Sequence, residues 1–200
     1  MTINKEDFLN SILESLSRIE YIKAEDIPNI ELYMDQVTKF MDSHLEPSKR
    51  YPEDKILTKT MINNYAKNNL LPPPTKKKYS KDHMLMLIFI YYFKNILSIN
   101  DIQNLLNPLT NKYFETDEEL NLETIYNEVF GLEKEEIESL KKDIAEKFKK
   151  STTIFEEAKE IDQDYLQKFS FICMLAFDVY VKKQLIEKII DLMPEIPNNT

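Results

Sequence analysis

The sequence predicts an all-α protein, and three observations predict it. Glycine occurs once in 200 residues, at Gly131, whereas sheets with many tight turns draw on glycine for positive φ. Apolar residues recur at spacings of three and four along most of the chain, which is the period of a helix. The nine prolines (Pro28, Pro47, Pro52, Pro72, Pro73, Pro74, Pro108, Pro194 and Pro197) fall between the periodic segments, where a missing N–H costs least.

The first helix is expected over Asn4–Arg18, with Phe8, Leu9, Ile12, Leu13 and Leu16 on one face. Asp26-Ile27-Pro28 breaks the pattern. Asn29 can cap a second helix that runs to His44, with Ile30, Tyr33, Met34, Val37, Phe40 and Met41 at helical spacing. Leu45–Leu57 reads as a loop because Pro47 and Pro52 lie in it. Thr58 can cap a short third helix through Asn68 that turns Met61, Ile62 and Tyr65 inward. Asn69 stands where a helix end wants a left-handed residue. Pro72-Pro73-Pro74 then stops the helix, and Thr75–Tyr79 is short, basic and extended.

Ser80 caps the next helix, Lys81–Asn95. It is apolar on nearly every side and so belongs deep in the core. Ser98 and Asp101 form a capping box with Asp in place of Glu, and that helix is expected to end before Pro108. Asn121–Phe130 ends at Gly131. Glu133–Lys150 starts acidic and ends basic, which suits the helix dipole. Asp162 can cap a long final helix to Met193, stopped by Pro194. Two regions are expected: N-terminal helices with a DNA-reading unit over 1–110, and an acidic helical bundle over 111–200 for dimerisation or effector binding.

Composition narrows the class. Charged residues make up 30% and hydrophobic residues 42%, a globular balance. Cys173 is the only cysteine, so no intrachain disulfide can form. It sits between Ile172 and Met174 on an apolar helix and reads as a buried small hydrophobe. The polar, acidic stretch Thr2–Asp7 does not resemble a signal peptide, and the apolar runs are short of the ~20 residues a bilayer needs. The expected location is the cytoplasm, with no membrane contact. The Lys, Asn and Ile bias points to an AT-rich bacterial genome.

The net charge of −9 is unevenly spread. Residues 1–48 carry −6, residues 49–81 carry +7, residues 82–110 carry −1 and residues 111–200 carry −9. One basic island in an acidic chain implies one surface that meets an anion. In that island the short third helix presents Lys59, Thr60, Asn63, Asn64 and Lys67 opposite its apolar face. Asn reads adenine edges, Lys pairs with guanine or phosphate, and Thr serves either. Lys76-Lys77-Lys78 follow a rigid turn and can track a phosphate backbone.

The stretch Leu57-Thr58-x3-Ile62-x2-Tyr65-x-Lys67-x2-Leu70-Leu71-Pro72-Pro73 resembles the recognition-helix region of MerR-type winged helix-turn-helix regulators. The likeness continues through Lys78-Tyr79-Ser80, then Leu87, Ile90 and Phe93, then Ser98-x3-Ile102-x2-Leu105-Leu106, and so covers residues 57–106, a quarter of the chain. The chain departs from that pattern at Asn63, where the family has Arg, and at Asn69, where it has Gly. It also lacks the Gly-Tyr pair of the family's wing, and a long loop separates the first helix from the recognition helix. The resemblance implies a divergent winged helix whose recognition helix enters the major groove and whose ribbon contacts the backbone. It also implies a homodimer, formed through a later helix. The chain as a whole, through Ile30-x-Leu32-Tyr33-Met34-Asp35-Gln36-Val37 and Leu57–Tyr65, is similar to an uncharacterised bacterial family of unknown function.

Other side chains read as structural. Tyr91, Tyr92 and Phe93 lie in so apolar a helix that they belong to the core. His44 and His83 stand near helix ends without the convergent ligands a metal needs. The carboxylates of Asp117-Glu118-Glu119 and Glu133-x-Glu135-Glu136 suit helix starts. No phosphate loop, dinucleotide turn or nucleophile constellation is present, so no enzyme, cofactor or metal is expected. The final helix, from Tyr165 to Leu192, carries an apolar stripe. Packing within its own domain, a dimer interface and a ligand pocket between helices all fit it.

The expected function is a DNA-binding transcriptional regulator. Thr58, Lys59, Thr60, Asn63, Asn64 and Lys67 make groove contacts, and Lys76, Lys77 and Lys78 hold phosphates. The alternative is a helical protein-interaction adaptor that keeps the winged fold without DNA.

Overall fold

The computed structural model describes residues 4–17 and 21–194. Its regular elements are α1 (Lys5–Leu16), β1 (Leu32–Tyr33), α2 (Met34–His44), α3 (Lys59–Lys67), β2 (Lys78–Tyr79), α4 (Lys81–Phe93), α5 (Ile99–Tyr113), α6 (Leu122–Phe130), α7 (Glu133–Ser151) and α8 (Glu160–Leu192). Two single 3₁₀ turns, Ala24–Asp26 and Glu46–Ser48, complete the order. Among the described residues the protein is all-α apart from one two-stranded sheet, in which β1 pairs antiparallel with β2 in the register Leu32↔Tyr79 and Tyr33↔Lys78.

Contacts divide the chain into two compact units. One comprises residues 21–131 with 187–200, and the other residues 1–20 with 132–186. The first is built around α4, whose Met84–Ile90 run is essentially sealed from water. α4 packs against α5, α6 and β2, while α2 packs against α3, β1 and β2. α6, which the sequence reading groups with the C-terminal part, closes α4 with aromatic rings. Phe89 meets Tyr126 and Phe130 at centroid distances of 5.5 and 5.4 Å. The Tyr126 hydroxyl donates to the Ile22 carbonyl and ties the start of this unit to α6.

In the second unit α1 packs on α7. Phe148 touches Phe8 and Phe171, with centroids 5.9 and 5.4 Å apart. The Gln167 side-chain amide donates to the Thr152 and Ile154 carbonyls at 3.0 and 2.9 Å, and its carbonyl accepts from Lys5 at 2.8 Å.

Four sequence expectations are corrected. Asn29 does not start α2. The chain runs extended through Leu32–Tyr33, and Gln36 accepts the Tyr33 N–H at 2.8 Å to cap the helix there. Pairing with Lys78–Tyr79 outweighs the local cap signal. α5 continues through Pro108 to Tyr113, because Leu105, Leu106, Leu109 and Tyr113 pack on the core and repay the lost hydrogen bond. α8 begins at Glu160 rather than after Asp162. Cys173 is exposed, because its face of α8 has no covering element within its unit. α1 ends at Leu16, and its expected last residue, Arg18, lies outside the described residues.

Candidate nucleic-acid interface

α3 is set by its two ends. The Thr58 hydroxyl accepts the Met61 N–H at 3.1 Å and starts the helix. At the other end Asn69 takes a left-handed φ of 54°, and the Leu70 N–H donates to the Tyr65 carbonyl at 2.9 Å. Ile62, Tyr65, Leu70 and Leu71 are buried and fix which side faces in. Lys59, Thr60, Asn63, Asn64 and Lys67 are left exposed on the outer side. Thr58 is half-buried and occupied as a cap, so its hydroxyl is structural.

The three prolines lead into a tight hairpin. The Lys78 N–H donates to the Thr75 carbonyl at 3.0 Å, and Thr75 bridges Lys78 antiparallel. Between them Lys76 and Lys77 both adopt positive φ, 51° and 65°. Two central residues with positive φ mark a type I′ turn, which normally takes Asn-Gly. A left-handed conformation costs a non-glycine residue roughly 1–2 kcal/mol. The turn therefore holds two strained lysines at its exposed tip.

The short segment Glu31–Asp35 joins these parts at one edge of the unit. Asp35 accepts from Lys59 at 3.0 Å, and Glu31 accepts from Lys78 at 3.2 Å. Lys78 also lies over the Tyr33 ring, 5.8 Å from its centroid. A four-residue step spans at most about 14 Å, so the start of α3 and the base of the hairpin share one surface. Lys59 holds the Asp35 carboxyl below the usual carboxylate range, first by its hydrogen bond and then by its charge. Lys67, Lys76 and Lys77 form no ion pair with any described residue.

Glu31 is the site residue that sequence reading did not place. Glu31 also lines a cleft of about 500 Å³ with Asp82, Glu115, Asp117 and Glu123. Burial pushes the Asp82 carboxyl up, and Glu115 and Glu123 add to the rise. The charge of this cleft repels phosphate. Beside it His83 is buried, with Nδ1 accepting the Ser80 N–H at 3.0 Å. Burial lowers the His83 imidazole, and Glu115 partly opposes this. Among the described residues no group of three His, Cys, Asp or Glu side chains could hold a metal, and no helix is long and apolar enough to cross a membrane.

Residues 22–129 match the family model described as a domain of unknown function, DUF1836. No curated protein and no solved structure matches the chain.

Proposed function

From a chain that belongs to the DUF1836 family, whose function is unknown, we propose a cytoplasmic DNA-binding transcriptional regulator of the MerR-like winged-helix type. In this reading α2 and α3 are the helix-turn-helix pair and the Thr75–Lys78 hairpin is the wing. Lys59, Thr60, Asn63, Asn64 and Lys67 meet base edges or flanking phosphates, and Lys76, Lys77 and Lys78 meet phosphates. The observation that carries it is the hairpin tip. Lysine is a poor residue for a positive-φ turn, and two in succession favour function over stability. The surrounding ion pairs do not block the reading. Exposed pairs such as Lys59–Asp35 and Lys78–Glu31 are worth little, so a phosphate can displace the carboxylates.

The test is fluorescence anisotropy with duplex from the protein's own upstream region and with random duplex, each across a salt series. Five lysines on phosphates would give a slope of log K against log salt of about −4.5, with tighter binding to the native duplex. A second reading, a protein-interaction adaptor, is favoured by Asp35 and Glu31, which leave a mixed-charge face. Absence of binding to either duplex at low salt selects the adaptor.

A further inference from the structure

Residues 45–58 join α2 to α3 with only one 3₁₀ turn between the two helices. Leu45 at one end and Ile56 and Leu57 at the other are buried, while residues 50–53 are exposed. Two side chains at the C-terminal end of α4 hold this connection. Tyr91 lies in the last turn of α4, and Lys94 caps the helix. Three residues apart, they share one side of it. The Lys94 ammonium donates to the Ile56 carbonyl at 2.7 Å and lies 4.8 Å from the centre of the Tyr91 ring. The Ser48 hydroxyl donates to the Leu45 carbonyl at 2.6 Å, which spends its one hydrogen. The Tyr91 hydroxyl is therefore the donor in its 2.5 Å bond to Ser48.

A lysine without a task at this position would turn its ammonium to water, as long charged side chains do. Lys94 instead reaches a main-chain carbonyl. No described carboxylate pairs with it, and burial draws its pKa below the ordinary lysine value. Apolar contacts let a segment slide, but a hydrogen bond to a carbonyl has a direction, so this one fixes the peptide plane at Ile56. Ile56 stands two residues before Thr58, whose hydroxyl starts α3. Ile62 and Tyr65 hold the inner side of that nine-residue helix, and the segment before Thr58 sets its beginning. A turn of the first residues would redirect Lys59, Thr60 and Asn63 together.

We propose that Lys94 and Tyr91 are positioning residues for base reading: by clasping Ile56 and Ser48 they fix the angle at which the start of α3 meets a duplex. The assignment rests on the DNA-binding reading of α3; the clasp itself does not. Lys76, Lys77 and Lys78 stand on a separate hairpin that is paired to β1, so loss of the clasp leaves their phosphate contacts in place. The clasp therefore governs discrimination between duplexes and not the salt-dependent hold on any duplex.

Two measurements on the full chain test this. Amide hydrogen exchange needs no DNA. Lys94→Met keeps the apolar stem and loses the donor, and should speed exchange over residues 46–61 while leaving residues 75–79 and α6 as in the wild type. Tyr91→Phe removes one hydroxyl, too small a change to unfold the chain, and should speed exchange over residues 46–50. Wild-type rates over 46–61 in both variants overturn the clasp. The second measurement is fluorescence anisotropy with native and random duplex across a salt series. Lys94→Met should lower the preference for the native duplex about tenfold, the worth of one good base contact. Its affinity for random duplex and its salt slope should stay at the wild-type values. Lys94→Arg keeps the charge and the donors, and should keep the preference. Unchanged preference in Lys94→Met overturns the positioning role, and a flatter salt slope would make Lys94 a phosphate contact instead. A wild-type chain that binds neither duplex fails the DNA reading itself, and the exchange rates still decide the clasp.

Discussion

Replacing Lys76-Lys77 with Asn-Gly should stabilise the protein and weaken its hold on DNA at the same time. Both lysines sit at positive φ, and the turn they form is of the kind Asn-Gly fills without strain. At about 1 kcal/mol recovered per residue, the double change should add about 2 kcal/mol. For a chain of this length that corresponds to a rise in midpoint temperature of roughly 4–8 °C. Circular dichroism during thermal and urea unfolding reads the gain. Removing two phosphate contacts should also flatten the salt slope by about 1.8 and lower affinity for every duplex alike. Lys76→Ala with Lys77→Ala separates the two effects, since alanine keeps the strain and loses the charge. That variant should lose affinity while its stability stays near the wild type. A stability unchanged or reduced in the Asn-Gly variant would refute the strain argument. Unchanged affinity and slope in both variants would remove the hairpin from the interface.

Three further outcomes follow from individual contacts. Asp35→Asn frees Lys59 and should raise affinity for duplex severalfold with no change in thermal stability; a loss of affinity would make Asp35 part of the binding surface. His83→Gln keeps an acceptor for the Ser80 N–H and removes a buried titrating group. In the wild type the imidazole is held below its ordinary value, so the unfolded chain binds the proton more readily. That stability is fully present above about pH 6.5 and is lost as pH falls toward the depressed value. Urea unfolding at several pH values should show this loss in the wild type and not in the variant; an equal drop in both would assign it elsewhere. Tyr126→Phe removes the donor to the Ile22 carbonyl and should cost about 1–3 kcal/mol, measured by urea unfolding; a neutral result would show that water satisfies that carbonyl.

Local chemistry made much of this fold legible. The Thr58 cap, the left-handed Asn69 and the Ser98–Asp101 box are all local interactions, and each forms. The helix that is apolar on every side is the buried one. What sequence could not give depends on distant partners. The strand Leu32–Tyr33 exists because Lys78–Tyr79, far along the chain, lies beside it, with Leu32 opposite Tyr79 and Tyr33 opposite Lys78. α5 survives Pro108 because the core holds both halves of it. Cys173 looked buried because an apolar stripe on a helix normally marks a covered face. Here the stripe marks a face left open within its unit. The role of Glu31 was hidden because its partner is equally distant in sequence. A carboxylate gains meaning only when a lysine from another element arrives.

Glu31 and Asp35 also bear on how selective the interface can be. The chain carries −9 overall, so at a distance DNA is repelled rather than drawn in. At physiological salt, screening reduces that repulsion beyond about 8 Å, and contact is decided locally. Lys67, Lys76 and Lys77 stand ready without an ion pair to any described residue, while Lys59 and Lys78 must first leave Asp35 and Glu31. A duplex that offers phosphates only to the first three gains little and still meets two carboxylates. One that also places acceptors beside Lys59 and Lys78 displaces both acids and gains all five contacts. Acid residues inside a basic face therefore penalise poor registers more than good ones, as selectivity requires. The same arrangement predicts that Asp35→Asn tightens binding to random duplex by a larger factor than to the native site. A larger gain at the native site would instead mean that Asp35 only weakens binding and does not discriminate.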